Sequence, residues 1–112
     1  MTIISFQDFL KIKICVGTVL TAEENNILKK PAIILKIDFG EKIGIKKSSA
    51  QLKENYNCFD LINKQVVAII NFPPKQVGNL ISEALVLGFP DENNEPVLVA
   101  PDFKVKNGKR LY

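Results

Sequence analysis

Four consecutive polar residues, Lys46-Lys47-Ser48-Ser49, follow the apolar alternation of Ile43 and Ile45. Lysine offers a point charge to phosphate, and adjacent hydroxyls can bond phosphate or ribose oxygens without reading a base sequence. Strand alternation sets Lys46 with Ser48 on one face and Lys47 with Ser49 on the other, which leaves open that one pair is ordinary solvated surface. A second polar group, Asn71, Lys75 and Gln76, surrounds Pro73-Pro74, two prolines that stiffen a loop at low entropic cost, and Ser82 joins it as a further contact. Phe72 has a ring able to stack on a base, but its parity with Val66, Ala68 and Ile70 assigns it to the core. Lys104, Lys106, Lys109 and Arg110 crowd the tail, either extending a basic groove or forming a plain solvated end.

Catalytic chemistry is disfavoured. The chain has no histidine. That removes the usual general base, the Ser-His and Cys-His dyads and the commonest zinc ligand. No Gly-rich phosphate loop or carboxylate-rich metal motif is present, so no catalytic residue, metal or cofactor is expected. Cys15 and Cys58 lie far outside Cys-x-x-Cys spacing and are expected as unpaired, packed thiols. With 15 basic and 12 acidic residues the net charge is +3, too mild to announce a nucleic-acid partner by itself.

These side chains need a scaffold. The 112 residues, 46% hydrophobic and 24% charged, suffice for a single folded domain spanning 1–112. No apolar run approaches the roughly 18 to 20 residues that cross a bilayer, and the N-terminus lacks a secretory n-region. No membrane insertion and a cytoplasmic location are therefore expected. Ser5 to Leu10 predicts a short capped helix with Phe6, Phe9 and Leu10 on one face. So short a helix must dock on something, and with the apolar ends Val105 and Leu111 it is expected to form a homodimer interface.

From Ile12 the period becomes two, through Ile14 and Val16, and the apolar set changes parity to Val19. Gly17 marks the expected bulge or bend. Glu23 to Pro31 reads as a polar loop. Ala32 to Phe39 is the clearest strand, with Ile33, Leu35, Ile37 and Phe39 on one face and Lys36 and Asp38 on the other. A turn at Gly40-Glu41-Lys42 leads to the returning strand. Ser49 to Ile62 is helical or irregular, with Leu52, Tyr56, Phe59 and Leu61 to plug a barrel end. Gln65 to Phe72 is apolar on both faces and should be central. Leu80 to Phe89 and Val97 to Ala100 supply the remaining strands. Three strands, a helical insert and two strands match a small Greek-key barrel in OB-fold order.

Phe9-Leu10-Lys11, Val16-Gly17-Thr18-Val19 and Leu35-Lys36-Ile37-Asp38-Phe39-Gly40 resemble the CsaA branch of the tRNA-binding OB domains. So do Gly44-Ile45-Lys46-Lys47-Ser48-Ser49-Ala50-Gln51, Asn71-Phe72-Pro73-Pro74-Lys75-Gln76, Leu85-Val86-Leu87-Gly88 and Val105-Lys106-Asn107-Gly108, in collinear order. The segment Ser82-Glu83-Ala84-Leu85 stands where the broader family often has Ser-x-x-Met, and it brings a carboxylate. The resemblance implies an all-β, five-stranded OB barrel with short helices, an N-terminal helix and a C-terminal extension. It further implies a homodimer that binds tRNA by backbone and shape through Lys46, Lys47, Ser48, Ser49, Asn71, Lys75, Gln76 and Ser82. The alternative it carries is an export-related chaperone holding unfolded or pre-export polypeptide in apolar pockets of the dimer.

Overall fold

The molecule is a computed structural model that describes residues 1–26 and 31–112. Its elements in chain order are α1 (Phe6–Leu10), β1 (Ile14–Asn25), β2 (Ala32–Asp38), β3 (Ile45–Ala50), α2 (Cys58–Leu61), β4 (Gln65–Ile69), β5 (Lys75–Val77), β6 (Leu80–Ser82), β7 (Leu85–Val86), β8 (Gly88–Pro90) and β9 (Pro96–Leu98). The main sheet runs β3-β2-β1-β4-β7, all antiparallel, and β5-β6 and β8-β9 form separate hairpins. This curled five-stranded sheet with two short helices is the OB-type barrel expected from the sequence. The polar loop expected from Glu23 to Pro31 is strand as far as Asn25, and its part from 27 to 30 lies outside the described residues.

The alternation of β2 fills the barrel. Ile33, Leu35, Ile37 and Phe39 are fully buried beside Val19, Leu61, Val66 and Ala68. Burying each such aliphatic side chain contributes roughly 1.5 to 3 kcal/mol. Leu52 and Leu61 close one end as expected, but Phe59 is 85% exposed and plugs nothing. Four-residue α2 spans barely one turn. Leu61 takes its inward position and Phe59 is left outside.

The parity change in β1 falls later than Gly17. Val19 pairs with Ile37 and Thr21 with Lys36, so Leu20 is the extra residue. Core positions accordingly run Cys15 and Val19 before the bulge and Ala22 after it. Gly17 serves close approach instead. A Cβ there would meet Ile37 Cγ2 at 2.6 Å and Asp38 O at 2.9 Å. Ile14 and Val16 therefore belong to the outer face of the sheet, where the chain's end covers them.

Gly40 and Gly44 bracket the β2–β3 turn with φ of 90° and 87°, a region that disfavours residues bearing a Cβ. Gly44 N–H donates to Gly40 O at 2.7 Å, and Phe39 N–H donates to Gly44 O at 3.0 Å, fixing the register of the returning strand. That strand would leave an open edge at β3. Glu83 N–H donates to Lys47 O at 2.8 Å and closes the barrel there.

The strand expected over Leu80 to Phe89 is broken into β6, β7 and β8. β6 turns back on β5 around Gly78, whose φ of 60° suits the first central position of a two-residue hairpin loop. β8 and β9 are joined by the acidic turn, where Asp91 Oδ1 accepts from Asn93 N–H and Glu95 N–H. The Asn55 amide and these backbone donors hold the Asp91 carboxyl below the usual carboxylate range.

At the N-terminus Ser5 and Asp8 form a reciprocal capping box on α1. The C-terminal segment runs along the first half of β1. Gly108 N–H donates to Val16 O, Val16 N–H to Lys109 O and Leu111 N–H to Ile14 O, at 2.8, 3.1 and 2.8 Å. Arg110 adds guanidinium contacts to the carbonyls of Leu10 and Ile12, so this basic residue ties the two termini together.

Candidate nucleic-acid interface

The β2–β3 register resolves which lysine faces outward. Ile37 pairs with Lys46 and Leu35 with Ser48, so both polar residues lie on the core-facing side of β3. Ser48 is 1% exposed, and its hydroxyl donates to Ala84 O at 2.8 Å. It belongs to the core and has no surface to offer a ligand, contrary to expectation. Lys46 is half-buried at the end of that same face. Lys47 and Ser49 stand on the opposite, outer face.

Lys47 has a neighbour that motif reading passed over. Lys36 of β2 pairs directly with Lys47, and both side chains are exposed. Like charges directly opposite each other on antiparallel strands are destabilising. Neither lysine belongs to the ion pairs found among the described residues, Lys11–Asp8 and Lys53–Glu24. The outward alternation of Lys36 was visible in the sequence; its partner was not, because that depends on the register.

Beside this pair lies a cleft of about 390 Å³ lined by Ser49, Phe72, Lys75, Ser82, Glu83 and Leu85, among others. Phe72 is 52% exposed there, whereas its parity had placed it in the core. Parity fails because β4 ends at Ile69, three residues earlier, and Pro73 and Pro74 carry no N–H to continue a ladder. Lys75 pairs with Ser82 across the β5–β6 hairpin. Ser82 Oγ accepts from Ser49 N–H at 3.1 Å, and Glu83 Oε1 accepts from Lys47 N–H at 3.1 Å. These two side chains complete the closure of β3, so the Ser82 oxygen is already engaged within the fold.

Two further expected contacts are placed otherwise. Asn71 Oδ1 accepts from Lys13 N–H at 2.9 Å, and its Nδ2 donates to Lys11 O at 2.7 Å. Its amide thus clasps the link between α1 and β1. Gln76 Nε2 donates to Gly78 O at 2.6 Å within its own hairpin. The structure therefore brings together Lys47, Ser49 and Lys75 with Lys36 and Phe72. It withdraws Ser48 into the core and occupies Asn71 elsewhere.

A second surface is apolar. Ile14, Val16, Val67, Val99, Val105 and Leu111 line a groove of about 670 Å³ under the C-terminal segment, with Lys106, Lys109 and Arg110 at its rim. Phe6, Leu10, Val105 and Leu111 are exposed and Phe9 is half-buried, its ring centroid 6.1 Å from that of Phe6. Burial pushes the Cys15 thiol up, against a smaller opposing pull from Arg110 and Lys13, and also raises the partly buried Cys58 thiol. Both changes favour the neutral thiol over the nucleophilic thiolate. Among the described residues no three Cys, Asp or Glu side chains converge as metal ligands. No helix among them is long and apolar enough to cross a membrane.

Comparison with known proteins gives the family. Residues 14–110 match the family model "Putative tRNA binding domain". The crystal structure of chaperone CsaA from Bacillus anthracis superposes with a TM-score of 0.93 at 45% identity, covering 99% of this chain and 100% of that one. The CsaA chaperone protein from Picrophilus torridus gives a TM-score of 0.90 at 44% identity, covering 98% and 100%. A methionine–tRNA ligase of Thermococcus onnurineus is 32% identical over 108 residues, which are 96% of this chain but 14% of the ligase. This chain thus spans about one seventh of the length of the curated relatives it matches. It belongs to the tRNA-binding domain family, and within it to the CsaA branch.

Proposed function

We propose that this protein is a non-enzymatic, cytoplasmic tRNA-binding protein that grips RNA by backbone and shape on the outer face of β2 and β3. The observation that carries the reading is the cross-strand pair Lys36–Lys47, two exposed like charges held opposite each other beside a cleft holding Lys75 and Phe72. A phosphate between two such lysines relieves their repulsion and releases counterions, a sequence-independent source of affinity. Ser49 adds a hydroxyl at the same edge, and the OB fold commonly uses its second and third strands in this way. Family membership supplies the ligand class.

The same reading makes the protein a homodimer. Phe6, Phe9, Leu10, Val105 and Leu111 gather apolar surface around the joined termini, and a second copy is the partner that covers it. A second function rests on the groove of about 670 Å³, whose apolar floor of Ile14, Val16 and Val67 suits an extended apolar segment of unfolded or pre-export polypeptide. The relatives named as chaperones favour keeping it.

Binding of labelled tRNA and of a labelled unfolded polypeptide, each titrated at low and high salt, separates the two. RNA binding should weaken steeply with salt, whereas polypeptide binding in an apolar groove should hardly change. Salt-insensitive polypeptide binding without tRNA binding would reverse their order.

A further inference from the structure

Glu83 is out of place on a surface meant only for phosphate. It lines the same cleft as Lys75 and Phe72, and its backbone and its carboxylate are each tied to the Lys47 backbone. Glu83 N–H donates to Lys47 O at 2.8 Å, while Oε1 accepts from Lys47 N–H at 3.1 Å. The other oxygen, Oε2, has no hydrogen-bond partner among the described residues. A phosphate entering the cleft would meet this negative charge. A base edge would instead be attracted to it, because exocyclic amines donate hydrogen bonds that a carboxylate accepts.

The exposed ring of Phe72 makes the same point independently. Half of its surface faces solvent at the mouth of a cleft of about 390 Å³, where the stiff Pro73-Pro74 pair follows it. Aromatic rings so placed stack on unpaired bases, and this is tolerant of base identity. We propose that this cleft takes one unpaired nucleobase of the bound RNA: Phe72 stacks on its face, Glu83 accepts from its exocyclic amine and Lys75 meets the adjoining phosphate. The assignment rests on the RNA-binding reading above and adds base selectivity to it. Cytosine, with its N4 amine, is preferred over uracil, whose edge presents one N–H between two carbonyl oxygens that repel the carboxylate.

Fluorescein-labelled hexacytidylate and hexauridylate, titrated separately and with tRNA as a third ligand, test the proposal. The parent protein should bind the cytidylate about five- to tenfold more tightly than the uridylate. Glu83→Gln keeps an acceptor for Lys47 N–H, so the barrel edge stays closed, but the cytosine preference should fall to near unity. Phe72→Leu should weaken both oligonucleotides about tenfold, and Phe72→Tyr should restore them. Melting curves of the variants verify that each is folded. Equal binding of the two oligonucleotides by the parent, or an unchanged ratio in Glu83→Gln, overturns base selection while tRNA binding leaves the family reading intact. Loss of all tRNA binding by the parent protein overturns both.

Discussion

The outer face of β2–β3 and the groove beneath the C-terminal segment are built on the same sheet, yet they oppose each other in every property that governs binding. One sets Lys36 against Lys47 next to a cleft with Lys75. The other lines an apolar groove with Ile14, Val16 and Val67, largely covered by the C-terminal segment, beside the exposed Val105 and Leu111 and with Lys106, Lys109 and Arg110 among its lining. The first holds like charges whose repulsion an anion would relieve, and the second holds apolar surface of the kind a proposed polypeptide partner would cover. A net charge of +3 hides this division, because the sum does not report where charge sits.

The largest effect should come from breaking the apolar side. Phe6→Asp combined with Leu111→Asp buries two charges in the proposed subunit contact, and the dimer should dissociate about thirtyfold more readily or worse. Sedimentation at tens of micromolar (a concentration suited to ordinary dimers) should then find a monomer where the parent is a dimer. A parent protein that is itself monomeric at that concentration contradicts the assignment of this surface.

Ser48→Ala separates adjacent residues of β3. Removing a buried hydroxyl that donates to Ala84 O should cost about 1 to 2 kcal/mol in chemical denaturation. The affinity for tRNA should not change. A loss of RNA affinity without loss of stability would return Ser48 to the binding face.

Asn71→Ala removes two hydrogen bonds on an exposed clasp, worth about 1 kcal/mol together. Its effect should appear as faster amide exchange at Lys13, whose N–H it accepts, with the salt dependence of tRNA binding unaltered. An altered salt dependence would mean that this amide touches RNA after all.

How far the sequence could be read follows from the range of each physical cause. The alternation Ile33, Leu35, Ile37 and Phe39 is local, and so it located β2 to within one residue and these four core positions. The capping box of Ser5 and Asp8 is equally local. Gly17 misled because a glycine that permits close approach and a glycine that marks a bulge look identical until the neighbouring strand is present. Phe72 misled because parity was carried past the true end of β4. The choice between the faces of Lys46-Lys47-Ser48-Ser49 was left open by alternation and needed the β2–β3 register to decide it. Lys36 went unremarked as a candidate because its significance lies in standing opposite Lys47, a non-local fact. Asn71 and Ser82 carried the right polar chemistry, but their partners Lys11, Lys13 and Ser49 are brought to them only by the closed barrel.

RNA affinity is proposed to reside in the cross-strand lysines and not in the apolar groove. The logarithm of tRNA affinity should be measured against the logarithm of salt concentration for the parent protein, Lys36→Ala, Lys47→Ala and the groove variant Val16→Ala. Each lysine variant should bind more weakly and flatten the slope by about one phosphate equivalent, and Val16→Ala should keep the parent slope. If the two lysine variants retain the parent slope and affinity, the β2–β3 face is not where this protein holds RNA.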